Sequence, residues 1–270
     1  MAREEGVRFC YGRRTAAWGA LAGTALLAQY LPSTAALGQW GPAETLPLGL
    51  CRWRGPAQLP RVALTFDDGP DPRSTPRVLD ALDRLDVRAT FFLVGARARA
   101  HPELVEEVAR RGHEVASHGD RHVSHLLRPP WCVRQDLERA RATLAGLGCD
   151  PSWYRPPYGH VTGATLVAAR AAGLATVLWS AWGREWTSSS PHEVAARVVR
   201  RLRPGAIVLL HDGEAFGPPG MSKVVLGALP LVADALDRAG LEPVTLSGVC
   251  AARPLGKVHS DVPPAIGAPR

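Results

Sequence analysis

From Arg61 to Leu246, short apolar runs alternate with longer charged segments of helical spacing, and this alternation constrains the fold more than any other feature of the 270-residue chain. The apolar runs are Val62–Phe66, Thr90–Val94, His113–Ser117, Ala175–Trp179, Ala206–Leu210 and Glu242–Leu246. Between them, Pro76–Leu85, Pro102–Arg111, Val133–Leu147, Gly163–Ala172, Pro191–Leu202 and Val224–Ala239 carry good helix formers at helical spacing. Gly112, Gly148, Gly173, Pro204 and Gly240 punctuate the joints. Strands alternating with helices imply an α/β fold: a parallel sheet with the helices packed outside it. About six or seven such units either close a barrel or leave an open sheet, and the pattern alone allows both.

The two ends of the chain differ from this body. Arg13 and Arg14 precede an uncharged stretch with an apolar core at Ala16–Leu31, and no charge follows until Glu44. A basic flank before an apolar run is the pattern of a secretory signal or a signal anchor, and the arginine pair also suits twin-arginine export. The core is short for a membrane span, which needs about 20 residues. Ser33-Thr34-Ala35 offers a small-residue cleavage site. We therefore expect an export signal or membrane anchor over residues 1–40, a Gly- and Pro-containing linker over 41–60, the folded catalytic domain over 61–250 and a flexible Ala-, Pro- and Gly-rich tail over 251–270. The protein is expected to be secreted or held at the cell surface.

Cysteine usage fits that compartment. Cys10 lies before the apolar stretch, and the remaining Cys51, Cys132, Cys149 and Cys250 are even in number, which permits disulfides. No cysteine spacing suggests a zinc-thiolate site. With 46% hydrophobic and 21% charged residues, the chain is not disordered. The net charge of +7 comes almost wholly from arginine, Lys223 and Lys257 being the only lysines. It suits a solvated surface or attraction to a polyanionic membrane or cell wall. No basic run interleaves with aromatics, which speaks against nucleic acid as a partner.

The chemistry-bearing residues follow the apolar runs. Asp67 and Asp68 end the first and His118 and His122 follow the third; Arg155 and Tyr158 come after Trp153, Glu185 after Trp179, and His211 directly after Leu210. In parallel α/β folds that edge of the sheet faces the ligand. Read alone, Asp67-Asp68-Gly69 suits a turn as well as a carboxylate pair, one on a metal and one free as a base. His118 and His122, four apart, can share one metal ion, but exposed loop histidines fit equally, and His125 adds a third. Two imidazoles and one carboxylate leave positions open for water and substrate, which is a catalytic rather than a structural coordination shell. Singly, Arg155 suits a surface ion pair, Tyr158 core packing and His211 a satisfied buried histidine.

Taken in order, Thr65-Phe66-Asp67-Asp68-Gly69, His118 with His122, Arg155-Pro156-Pro157-Tyr158-Gly159 and Leu209-Leu210-His211 resemble the motifs of the polysaccharide deacetylases, carbohydrate esterase family four. Thr90-Phe91-Phe92-Leu93 and Gly112-His113-Glu114 resemble the family's connecting strands. The resemblance runs from about Arg61 to Leu246. It implies a distorted, incomplete (β/α) barrel and hydrolysis of N-acetyl groups on an acetylated polysaccharide such as chitin oligomers or peptidoglycan. It also implies a divalent metal, usually zinc, on Asp68, His118 and His122, with Asp67 as general base and Arg155 orienting the carboxylates. The backbone N–H of Tyr158 would steady the oxyanion, and His211 would protonate the departing amine. Such a division of labour suits an acetamide, whose nitrogen leaves only once protonated.

The chain departs from the family pattern in two places. Gly119 and Arg121 stand where small hydroxyl residues often lie between the histidines. In the fourth motif, Trp182-Gly183-Arg184-Glu185-Trp186, Trp182 replaces the first aspartate and Glu185 the second. A carboxylate at 185 is expected to orient Arg155 or the protonated His211. Trp182 and Trp186, with Tyr158, are expected to contact substrate by stacking on sugar faces, core packing suiting Trp179 at least as well. An ester or a non-sugar amide as substrate, and a non-catalytic carbohydrate-binding relative, are the competing readings. Cys132 and Cys149 flank a predicted helix of roughly 22 Å, too long for a bridge. Cys51 and Cys250 flank the expected barrel and are expected to pair.

Overall fold

The computed structural model describes Gln29 and residues 49–250. Its central strand, Arg61–Asp67 (β2), is buried at every position but the first. A strand covered on both faces needs side chains suited to burial on both, which is why this run shows little alternation of apolar and polar residues. The other strands are Cys51–Arg52 (β1), Thr90–Leu93 (β3), Glu114–Ser117 (β4), Trp153–Tyr154 (β5), Ala175–Val177 (β6), Ala181–Trp182 (β7), Ile207–His211 (β8) and Glu242–Val244 (β9). The helices are Thr75–Arg84 (α1), Gly95–Ala100 (α2), Pro102–Arg110 (α3), Pro130–Gly146 (α4), Gly163–Ala171 (α5), Pro191–Val199 (α6), Met221–Arg238 (α7) and Leu246–Val249 (α8). Proline opens α3, α4 and α6, where its missing N–H has no partner to lose. A reciprocal Thr162–Thr165 capping box starts α5.

The named strands pair in parallel in the order β1-β6-β5-β4-β3-β2-β8-β7, with β9 added along the start of β2. β6 lies next to one end of this order and β7 forms the other, yet only Leu178–Ser180 separate them. So short a link forces the sheet to curl back on itself. Leu178 N–H donates to the Arg52 carbonyl and Ser180 N–H to that of Ile207, tying the link to both ends. The result is a curled, parallel-stranded half-barrel wrapped in helices.

Strand periodicity then sorts the side chains. Val62, Leu64 and Phe66 of β2, Phe91 and Leu93 of β3, and Val208 and Leu210 of β8 belong to the layer packed under α1, α6 and α7. The intervening Ala63, Phe92 and Ile207 fill the inside of the curl with Ala116, Trp153 and Val177. Leu79 and Leu82 of α1 are fully buried in the outer layer. Truncating either to alanine costs about 2–5 kcal/mol.

Four expectations are corrected. The sheet begins at Cys51, inside the stretch read as a linker, because β1 pairs with β6. The last apolar run is a strand only to Val244; Thr245 then caps the short helix α8. Helix α2 and the two-residue strands β1, β5 and β7 were not anticipated, since elements so short leave no periodic pattern. Cys51 retains its thiol, so the expected Cys51–Cys250 bridge is absent. Burial pushes the Cys51 thiol up to about 12, against the pull of Arg155. The expected export segment, apart from Gln29, and the tail lie outside the described residues, among which no helix is long and apolar enough to cross a membrane.

Candidate active site

Asp67 is the last residue of β2, in register with Phe92 on one side and His211 on the other. Alternation along the strands therefore carries Asp67 and His211 to the inner face of the curl, at its C-terminal rim. A regular strand would turn Asp68 outward. Instead Asp68 adopts φ 78, a left-handed conformation that aspartate tolerates better than most residues, and both carboxylates line one pocket. Gly69 must follow, since a Cβ there would stand 2.3 Å from the Asp212 carboxylate.

The pocket measures about 550 Å³ and brings together Asp67, Asp68, His118, His122, Tyr158, Trp179, Trp186 and His211. His118 follows β4, its N–H bonded to the Leu93 carbonyl. Its Nδ1 lies 2.7 Å from the Arg155 carbonyl, which only accepts, so Nδ1 carries the proton and Nε2 presents a lone pair. That Nε2 is 3.5 Å from Asp68 Oδ1, and His122 Nε2 is 3.2 Å from the same oxygen. Asp68 Oδ1 is buried without a hydrogen bond, and one ligand atom from each of the three residues falls within a 4.8 Å cluster. An orphaned carboxylate oxygen facing two imidazole nitrogens fits a divalent ion. Burial opposes ionisation of Asp68, but His118, His211 and His122 together outweigh it and hold the carboxyl below its ordinary range. Burial above all pushes His122 down to about 4, which leaves its imidazole neutral.

Behind Asp67 lies Arg155, fully buried. Its guanidinium donates to Asp67 Oδ1 at 2.6 Å, Thr65 Oγ1 at 2.8 Å and the Leu178 carbonyl at 3.1 Å, and its Cζ sits 4.0 Å over the Phe92 ring. One carboxylate oxygen is thereby pinned, while Oδ2 lies 3.8 Å from His118 Nε2. Across the pocket, His211 Nδ1 meets Glu185 Oε1 at 2.7 Å. Of the two partners expected for Glu185, the structure therefore selects His211. Burial alone would depress His211, but Glu185, Asp68 and Asp67 outweigh it and push the imidazole up to about 9. The pocket thus holds one carboxylate fixed by arginine and one imidazole paired with glutamate, beside the Asp68, His118 and His122 cluster.

Tyr158, at φ 60, packs its ring 4.5 Å from His122 and remains exposed. Trp186 stands edge-on to His211 at 5.6 Å. Trp182 does not join them: it lies in β7 with the Arg201 guanidinium 4.4 Å over its ring and does not line the pocket. Sequence reasoning missed Phe216, Gly217, Pro218 and Met221 of the pocket lining, and Asp212 behind it. Phe216 stacks on His122 at 4.2 Å from an aperiodic Gly- and Pro-rich loop that carries no local signal. Asp212, fully buried, accepts from Thr75 Oγ1 and backs the Gly69 turn; its place beside His211 was the available clue. Burial and the nearby Asp68 push its carboxyl up to about 7, against the Thr75 hydrogen bond.

Residues 54–177 match the polysaccharide deacetylase family. Over 173 residues the chain is 36% identical to a peptidoglycan-N-acetylglucosamine deacetylase of Bacillus cereus, covering 63% of this chain and 81% of the relative. Over 193 residues it is 38% identical to a chitooligosaccharide deacetylase of a Bradyrhizobium species, covering 67% and 86%. The crystal structure of the Bc1960 peptidoglycan N-acetylglucosamine deacetylase aligns with a TM-score of 0.71 at 30% identity, over 76% of this chain and 94% of that one. With the half-barrel and the pocket carrying the expected motif residues, this extent of likeness means that the chain belongs to the polysaccharide deacetylase family.

Proposed function

We propose that the protein is a metal-dependent hydrolase that removes N-acetyl groups from an amino-sugar polymer, peptidoglycan or chitin-like, outside the cell. The observation that carries this reading is the Arg155-held Asp67 and the Glu185-held His211 facing one pocket beside the Asp68–His118–His122 cluster. Asp68, His118 and His122 are the residues that would hold the ion, and zinc suits two imidazoles and a carboxylate. A divalent ion there supplies a Lewis acid that polarises the acetamide oxygen and lowers the pKa of water. Asp67 takes the proton from the attacking water, its geometry set by the guanidinium on its other oxygen. His211 enters protonated and gives its proton to the amine nitrogen, which otherwise does not leave. Glu185 sustains that charge, and the Tyr158 backbone N–H, on its left-handed turn, is the donor we assign to the oxyanion. Trp186, Tyr158 and Phe216 offer apolar faces for the sugar ring. The segment over residues 1–40 is the export signal or anchor this location requires.

Mass spectrometry of N-acetylglucosamine oligomers and cell-wall fragments, incubated with protein and zinc, tests the proposal. Each removed acetyl group lowers the mass by about 42 Da as acetate is released, a loss expected with zinc and suppressed by a chelator. Release from acetylated xylan but not from the amino sugars overturns it in favour of an esterase.

A further inference from the structure

The loop that carries His118 and His122 is gripped from two sides. On one side its carbonyls accept from the start of α2: Gly95 N–H bonds to the Gly119 oxygen and Ala96 N–H to the Asp120 oxygen, each at 2.9 Å. On the other side a single side chain takes a loop amide. Asp136, in the second turn of α4, accepts from Asp120 N–H at 2.9 Å through Oδ2, and its Oδ1 is buried without a hydrogen bond. Asp136 is 5% exposed. Arg121 is the cation facing it, 3.9 Å from Oδ1, while the Asp120 carboxylate is taken up by Arg99. Gly119 completes the arrangement. It sits at φ +81, and a Cβ there would stand 2.8 Å from Asp136 Oδ2. No side chain within the loop can occupy that space, because the carboxylate of α4 already fills it.

We infer that Asp136 is a positioning residue for the metal site: by holding the Asp120 amide and filling the space beside Gly119 it sets the separation of His118 and His122. The inference rests on Asp68, His118 and His122 being the ligands. Mutating a residue that orients metal ligands typically costs about 10–100-fold in metal affinity.

The test is competition for Zn2+ between the metal-free full-length protein and a chromophoric chelator, with kcat and KM measured at saturating zinc. Asp136→Ala is expected to bind zinc about 10–100-fold more weakly, with KM at saturating zinc unchanged. Asp136→Asn keeps an acceptor oxygen and should recover most of the affinity. Gly119→Ala should weaken binding in the wild-type background and add less on top of Asp136→Ala, because the clash is then gone and only the backbone strain remains. Should Asp136→Ala fail to fold, Asp136→Glu decides. Its longer side chain keeps the charge but displaces the Asp120 amide, and it should lose zinc affinity by a similar factor without a matching loss of Tm. Zinc affinity within threefold of wild type in whichever of these two variants is folded overturns the inference. A wild-type protein that binds no zinc fails differently, removing the ligand assignment itself and this role with it.

Discussion

Glu185→Gln isolates the charge that keeps His211 protonated. Glu185 has no exposed side-chain surface, His211 is 15% exposed, and the two meet at 2.7 Å. Glutamine preserves the size and an oxygen for Nδ1–H but removes the charge. In the wild type the imidazole is pushed from 6.5 to about 9 although burial works against it. The difference corresponds to about 3 kcal/mol of preference for the charged ring. At pH 7.5 a group titrating near 9 is roughly 97% protonated, and one returned to 6.5 roughly 9%. Acid catalysis should therefore fall at least tenfold, and the basic limb of the kcat–pH profile should move from the region of 9 to 6.5 or below. An ion on the neighbouring ligands lowers both values alike, so the displacement between wild type and variant is the observable. Acetate release followed from pH 5.5 to 10, with zinc content measured in parallel, is the assay. Glu185→Asp should be partly active at best, because its carboxylate falls short by about 1.5 Å and the 2.7 Å hydrogen bond cannot absorb that without backbone movement. The same pair predicts a stability signature. A histidine raised in the folded state contributes stability that is full below about pH 6.5 and is lost as pH rises through about 9. Metal-free wild type should lose this increment over that window, and Glu185→Gln should show little of it. Wild-type rates with an unmoved basic limb in Glu185→Gln would refute the reasoning.

The other predictions probe the rest of the pocket. Asp68→Ala and His122→Ala should be depleted of metal by elemental analysis, whereas Asp67→Asn should keep its metal and lose about 10²–10⁴-fold in rate; full occupancy in both ligand variants removes the metal assignment. Arg155→Leu leaves the buried Asp67 carboxylate without its guanidinium, which should cost about 3–5 kcal/mol and lower Tm by about 10 °C; an unchanged melting curve contradicts the pairing. Trp186→Ala should raise KM for amino-sugar oligomers while Trp182→Ala leaves it unchanged, a contrast steady-state kinetics reads directly.

Local sequence pattern carried much of this protein because a parallel sheet buried on both faces needs near-continuous apolar runs, and the joints between runs need glycine or proline. β2, β3, β4 and β8, and the helices between them, were legible for that reason, as was the rim on which Asp67, His118 and His211 sit. Residue identity and order singled out Asp67, Asp68, His118, His122 and His211, which line one pocket, and pointed to the family. Tertiary structure decided what depends on contacts between distant segments. Strands of two residues exist only because neighbours donate to them, so β1, β5 and β7 left no local trace. Glu185 had two cations within its expected reach, and the path of Leu178–Trp182 around the curl gave it to His211 while turning Trp182 toward Arg201 and away from the pocket. The positive φ at Asp68 brought adjacent carboxylates to one side, against strand alternation. Phe216 entered from an aperiodic loop, and Asp136 reached the loop of His118 and His122 from α4. Periodicity records the burial of a residue's own element; it carries no record of which side chain from elsewhere in the chain fills the space beside it.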